Sequence, residues 1–323
     1  MRRIRVILSA VAALCVLCAL AVPPAHSKPP RETTGPMTPA TTLGWNIWDS
    51  AALDSTERSL GLRAGVVGIF ADFVNNPLFP LEMVEHIARR GAIPMVAWEP
   101  WDSHRNTAVQ PRWQLRDLIS GRHDRLIRRW ARAAAAWGGR LLLRFAPEMN
   151  GDWRPWSPGV NGNTVDQYSA AWRHTRRIFL AQGATNVEWV WNPYVSAGES
   201  TAMQEVYPGS KHVDWVGLDG HNWGSTRSPG WQTYEDIFAP TVDTIRALAP
   251  DKPWMIAEVG CAPGPGKAQW IRDTLTAAHN DGASAVVWFE FDKETDWRLT
   301  ESEATITAVR EIAGGSGWVT AQP

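Results

Sequence analysis

Eight short apolar runs, separated by amphipathic stretches, constrain the fold of this chain more than any other feature of its sequence. They span Thr42–Ile47, Gly65–Phe70, Ala92–Trp98, Arg140–Phe145, Asn186–Trp191, Val213–Leu218, Pro253–Ala257 and Ser284–Phe289. Several are apolar throughout, the pattern of strands covered on both faces. Helical periodicity fills the gaps at Leu81–Arg90, His123–Trp137, Lys267–Asn280 and Ser302–Ile312, most of them closed by glycine. Thr164 and Gln167 have capping-box spacing and open a further helix through Gln182. Pro240 splits or kinks Tyr234–Leu248. With no internal repeat and no composition break, residues 41–315 read as a single (β/α)8 barrel of the α/β class, followed by a tail over residues 316–323. A doubly wound open sheet is the alternative, but no Gly-rich phosphate loop follows the first run.

The N-terminus stands apart. Arg2, Arg3 and Arg5 precede an apolar run, Val6–Val22, and Ala25-His26-Ser27 resembles a small-residue cleavage site. Residues 1–27 are therefore expected to be a signal peptide; an uncleaved anchor is the competing reading. Residues 28–40 are Pro/Thr-rich without periodicity and read as a linker. The full chain has 32 Lys+Arg and 33 Asp+Glu, and losing residues 1–27 leaves a net charge of −4. That balance offers nothing to nucleic acid. Cys15 and Cys18 leave with the signal, so Cys261 remains as a packed thiol with no disulfide partner. The expected mature protein is secreted, extracellular, monomeric and free of the membrane.

Two carboxylates stand where a barrel carries its chemistry. The stretch Arg140–Gly159, RLLLRFAPEMNGDWRPWSPG, runs from a buried strand into a polar loop rich in tryptophan. Strand alternation places Arg144, Ala146 and Glu148 on one side. In Pro253–Gly260, PWMIAEVG, alternation likewise groups Trp254, Ile256 and Glu258. Both glutamates fall at C-terminal strand ends, which open into one mouth in a closed barrel. Paired carboxylates across a cleft suit glycosidic-bond hydrolysis, one protonating the leaving oxygen and one attacking or activating water. The competing reading makes each a barrel-end ion pair, and Arg144 has the same two readings.

These stretches carry a resemblance. The run R-F-x-x-E-M-N-G-x-W-x-P-W from Arg144 to Trp156 is similar to the acid/base signature of glycoside hydrolase family 26. So are Asn161-Gly162-Asn163-Thr164, Asn186-Val187-x-Trp189-Val190-Trp191, the stretch from Val213 to Gly220, Ile256–Gly260 and Trp297-Arg298. The resemblance covers roughly residues 41–310 and implies a secreted, retaining clan A barrel. Most members of that family are endo-β-1,4-mannanases, with mixed-linkage glucanases and β-1,3-xylanases among them. It implies Glu148 as acid/base, with a raised pKa, and Glu258 as an ionised nucleophile, with Arg144 or Arg298 supplying positive charge. Two positions depart from the pattern. Pro147 replaces a histidine, and His221 stands where a tyrosine usually bonds the nucleophile, leaving His221 to donate to Glu258 or to be an ordinary surface residue.

Twenty tryptophans exceed what packing requires, and flat rings with a polar edge suit sugar faces. Trp153, Trp156, Trp223 and Trp297, in strand-end loops, are expected to stack on substrate. Glu99 and Asp219 end their strands and suit sugar hydroxyls or structural hydrogen bonds, and Glu290 shares that ambiguity. Trp130, Trp137, Trp172 and Trp270 belong to helix packing. The eight histidines show no metal-ligand spacing, no G-x-S-x-G elbow is present, and no cofactor is expected. The sequence thus points to a retaining endo-β-glycanase acting on a polysaccharide, β-1,4-mannan first. A barrel that binds polysaccharide without cleaving it is the alternative of another class.

Overall fold

The elements follow from the alternation of apolar runs and capped helices. In chain order they are β1 (Thr41–Asn46), α1 (Ser50–Leu60), β2 (Val66–Asp72), α2 (Leu81–Ala88), β3 (Ile93–Glu99), α3 (Leu115–Ile119), α4 (Asp124–Trp137), β4 (Leu141–Phe145), α5 (Val165–Ala181), β5 (Val187–Trp191), β6 (Trp215–Asn222), α6 (Tyr234–Ile237), α7 (Ala239–Leu248), β7 (Trp254–Cys261), α8 (Lys267–Asn280), β8 (Ala285–Phe289), α9 (Glu303–Ala313) and β9 (Trp318–Val319). The computed structural model describes residues 40–321 apart from residue 106; the signal-peptide reading and nearly all of the linker reading lie outside the described residues. All strand pairs are parallel, and β1 bonds both β8 and β2, closing the barrel. Among the described residues, no helix is long and apolar enough to cross a membrane.

Three features differ from the expectation. Helix α1 has clear end signals that periodicity alone does not bring out: the Asp49 side chain accepts from the Ala52 N–H at 2.8 Å, and Gly61 closes it at φ 63°. Between β5 and β6 two 3₁₀ turns, Ser196–Gly198 and Ser210–His212, stand in place of the helix of the fifth β/α unit. The tail is part of the domain. Trp318 and Val319 pair with Thr41 and Thr42, and the Ala321 N–H donates to the Arg63 carbonyl.

Side chains divide into two shells. Val66, Met95, Leu142, Val190, Met255, Ala257, Ala285 and Val287 fill the barrel interior as a small apolar plug. The larger core lies between strands and helices, where the Trp98 and Trp130 rings stack with centroids 4.7 Å apart. Trp254 and Ile256 belong to this outer shell, while Met255 and Ala257 face inward. Strict alternation would therefore turn Glu258 outward. Instead the β6–β7 register jumps from Leu218↔Ile256 to Asp219↔Glu258, inserting Ala257 as a bulge. The bulge resets the phase and delivers Glu258 to the mouth, so the shared side read for Trp254, Ile256 and Glu258 is corrected.

Above the plug the inward positions turn polar, and glycine makes room for them. A Cβ on Gly217 would stand 2.3 Å from Asn192 Oδ1, the atom that receives Arg144 Nε at 2.8 Å. Gly217→Ala is expected to destabilise the fold by about 1–3 kcal/mol through overpacking, read as a lower urea midpoint. An unchanged midpoint would show that Asn192 is free to move.

Candidate active site

Strand β4 ends at Phe145, and the chain then does something strands do not. Ala146 and Glu148 both adopt left-handed backbone, φ 48° and 56°, on either side of Pro147. Such residues cost of order 1–3 kcal/mol each and persist only where the surroundings hold them. Here the Glu148 N–H donates to the Asn192 carbonyl at 2.7 Å, and Trp156 Nε1 donates to the Pro147 carbonyl at 2.7 Å. Tyr168 donates to the carbonyl of Ala146, which packs in the outer core. Ala146 therefore does not share a side with Arg144, and local turning rather than strand parity aims Glu148 into the mouth.

Glu148, Asp219 and Glu258 converge there. One carboxylate oxygen from each lies within 4.8 Å of the others, all three residues being buried. Two guanidinium groups meet this charge. Arg144, fully buried, donates to Asn192 Oδ1 and to Asp219 Oδ2 at 2.5 Å, and its Nη1 lies 2.7 Å from Glu258 Oε1. Arg154 donates to Glu148 Oε2 through Nε at 2.8 Å and Nη2 at 2.6 Å, and Trp153 Nε1 donates to the same oxygen at 2.9 Å. Charge-assisted contacts of this kind are the strong ones.

The electrostatics reverse the expected order. Burial raises the Glu148 carboxyl, but Arg154 and the Trp153 donor outweigh it and hold the group below the ordinary carboxylate range. Burial raises Glu258 above that range, with the Glu148 charge adding to the rise and Arg144 opposing it. Asp219 is raised further for the same reason, burial first, despite its contact with Arg144. The expectation of a raised Glu148 and a low Glu258 is thus corrected for the free chain.

The aromatic set divides. Trp153 is 38% exposed beside Glu148, and Trp223 is partly exposed with the Arg227 guanidinium 3.4 Å above its ring. Both face the mouth. Trp156 and Trp297 do not offer a free face: they are 0% and 1% exposed. Trp156 clamps the Pro147 carbonyl, and Trp297 packs edge-on against Trp223 and His221, centroids 4.7 and 4.9 Å away. Trp48 is an exposed ring that the sequence pattern did not single out. It follows β1 by two residues, is 60% exposed, and rests on Phe291 and Phe70. Its position just past a strand end, in phase with inward-facing Asn46, was the available signal.

The remaining residues resolve into supports. Glu99 accepts from Trp101 Nε1 at 2.8 Å and lies 3.5 Å from Arg154, its carboxyl raised by burial. Glu290 accepts from the N–H groups of Leu299 and Thr300 and serves structure. Arg298 pairs with Asp296 and Asp292, so the positive charge at the carboxylates comes from Arg144 and Arg154 instead. Asn163 and Asn161 tie the loops after β3 and β4 through Leu115, Pro155 and Gln110. Cys261 is buried, accepts weakly from Asn222, and burial pushes its thiol up to about 12.

Known proteins are similar to this chain in sequence and in fold. Residues 126–261 match the sequence profile of glycosyl hydrolase family 26. Endoglucanase H of Acetivibrio thermocellus is 35% identical over 272 residues, covering 82% of this chain and 29% of that protein. The chain thus spans under a third of that relative's length. In structure it resembles a GH26 β-mannanase from Bacteroides ovatus, with TM-score 0.66, 14% identity and coverage of 87% and 90% of the two chains. It also resembles a modular endo-β-1,4-mannanase from Cellulomonas fimi, with TM-score 0.67, 17% identity and coverage of 87% and 72%. At these identities the two structures show the shared barrel fold.

His221 is neither a surface residue nor a donor to Glu258. It is 9% exposed and edge-on to Phe289 and Trp297, and among the described residues Glu258 is partnered by Arg144 instead. Burial depresses its pKa to about 4. A base whose folded pKa is lowered takes up protons more readily when unfolded, so its contribution is present above about pH 6.5 and lost as pH falls toward 4. Unfolding free energy measured by urea at successive pH values should drop across that window by up to about 1.4 kcal/mol per unit from this one group. His221→Phe should flatten that part of the slope; an unchanged slope would assign it to other groups.

Proposed function

From the match of residues 126–261 to the glycosyl hydrolase family 26 profile and the 35% identity to Endoglucanase H, we propose that this chain is a family 26 retaining endo-β-glycanase in which Glu258 is the nucleophile and Glu148 the acid/base. The observation that carries this reading is the approach of the Glu148 and Glu258 carboxylate oxygens to within 4.8 Å. That suits retention, for which carboxyl groups stand ~5–5.5 Å apart, and not inversion, which needs ~6.5–9.5 Å for a water. Glu258 attacks the anomeric carbon while Glu148 gives its proton to the departing oxygen. The glycosyl ester cancels the Glu258 charge, removing a like charge that favours the protonated form of Glu148. Glu148 then takes a proton from water, and the hydroxide oxygen releases the sugar from Glu258. Arg144 orients Glu258 through the Nη1 contact and keeps it from accepting the proton meant for the leaving group.

The substrate we propose is a β-linked backbone lying across Trp48, Trp153 and Trp223, with β-1,4-mannan the first reading from the sequence resemblance. A β-glucan is the second, favoured by the 35% identical relative named an endoglucanase. Pro147 weighs against mannan on chemical grounds, for a proline side chain has no donor for a sugar hydroxyl. Export by the N-terminal segment and action as a monomer on extracellular polysaccharide complete the proposal.

Reducing-end release from mannan, barley β-glucan and β-1,3-xylan, with sizing of products, should single out one polymer and a ladder of oligosaccharides. Binding without release from any of them would favour a binding barrel. Glu258→Ala should lose at least about 10³-fold in kcat, order-of-magnitude for a removed nucleophile, and azide should restore turnover as a glycosyl azide of inverted configuration. Glu148→Ala should retain far more activity on activated aryl glycosides than on polysaccharide. Equal losses on both would remove the acid role.

A further inference from the structure

The acid/base carboxyl is unusually encumbered. All three of its donors, Arg154 Nε, Arg154 Nη2 and Trp153 Nε1, converge on Oε2. Among the described residues no donor reaches Oε1. The guanidinium that does this is itself housed: it lies against both the Trp101 and Trp156 rings, 5.5 and 5.6 Å from their centroids, with Glu99 Oε1 3.5 Å from Nη1. Trp101 and Trp156 meet edge-on, so the two rings and the two carboxylates form a slot for a planar cation. Trp156 is anchored in turn on the Pro147 carbonyl, beside Glu148. An incidental surface ion pair has no such housing; this arginine side chain is 20% exposed and held on every side.

We propose that Arg154 is a positioning residue that tunes the acid/base: it fixes Oε2 of Glu148, leaves Oε1 as the oxygen that carries the proton, and sets the pH above which hydrolysis fails. The inference rests on the assignment of Glu148 as acid/base. The groups facing Glu148 decide the sign. Glu258 on β7 and Asp219 on β6 are like charges that favour the protonated form, and Arg144 on β4 is already divided between them. Tyr194, held near 12 by burial, is neutral, and His221, held near 4 by burial, opposes protonation of Glu148 only where it is itself protonated. Glu99 on β3 draws on the Arg154 charge from the far side. Arg154 is therefore the nearest charge opposing protonation, and the low position of the Glu148 carboxyl despite its burial agrees. The consequence for the reaction is asymmetric. A carboxylate kept ready to accept a proton favours the water step, and the first step is confined to acidic pH.

The test is the pH dependence of kcat/KM on polysaccharide for wild type, Glu148→Gln, Arg154→Met, Arg154→Lys and Glu99→Gln. Wild-type turnover together with loss of the alkaline limb in Glu148→Gln establishes the underlying assignment; without both, that assignment fails whatever Arg154 does. Given both, Arg154→Met should move the alkaline limb upward by about one pH unit or more, the scale of one close opposite charge. Arg154→Lys, which keeps the charge and loses the fork, should fall between. Glu99→Gln should move the limb downward, since it frees Arg154 for Glu148, and it carries the test if Arg154→Met does not fold. A limb that stays within about 0.3 unit of wild type in the folded variants would overturn the proposal, because a merely structural arginine would lower kcat without shifting the profile.

Discussion

Arg144 is the charge around which the top of the barrel is built. It rises from β4 through the interior, directly above an apolar plug, and reaches Asn192 after β5, Asp219 on β6 and Glu258 on β7. Removing an ion from water costs several kcal/mol even after relaxation, and attraction offsets this only when the geometry is good and the remaining donors are satisfied. Three contacts on one fully buried guanidinium meet that condition. The same requirement explains the glycine at 217, where any side chain would displace Asn192. Four neighbouring strands are thus fixed in register by a polar centre as well as by their ladders.

The second guanidinium works from the rim. Arg154 lies in the loop after β4 and is held by rings from the loops after β3 and β4, so its placement depends on those loops being locked together. Asn161 and Asn163 provide the lock through backbone partners around Gln110, Leu115 and Pro155. Four carboxyl groups, Glu99, Glu148, Asp219 and Glu258, then face two cations. Burial, with the neighbouring like charges adding to it, raises Glu99, Glu258 and Asp219, while Glu148, whose Oε2 receives Arg154 and Trp153 together, goes the other way. In the free chain this order is the reverse of the one a proton-donating Glu148 and an ionised Glu258 would have.

Tryptophan usage follows the two-shell architecture. Thirteen of the twenty are buried, most of them in the layer between strands and helices; four more are half-buried, and Trp48, Trp153 and Trp231 are exposed. The large rings suit that layer because it is wide, whereas the barrel interior admits only small and linear side chains such as Ala257 and Met255. Buried rings near the mouth, Trp156 and Trp297, shape the walls behind the residues that can touch substrate.

Periodicity and glycine punctuation determined the eight strands, most helices and the closed barrel, because burial on both faces leaves a signal in each run by itself. That Glu148 and Glu258 stand toward the C-terminal mouth was legible for the same reason, and so was the resemblance to glycoside hydrolase family 26, from the long run between Arg144 and Trp156. The protonation order was not legible, since it arises from Arg154, which nothing in the local pattern marks as a partner of Glu148. Nor was the route by which the glutamates reach the mouth: alternation assumes a regular strand, and the structure uses a bulge at Ala257 and two left-handed residues around Pro147. Exposure of each tryptophan was likewise decided by neighbours distant in the chain, as with Trp297 against Trp223. Sequence fixes what each segment is able to form; which side chains share a dry, low-dielectric space, and so alter one another's charge, depends on closure of the barrel.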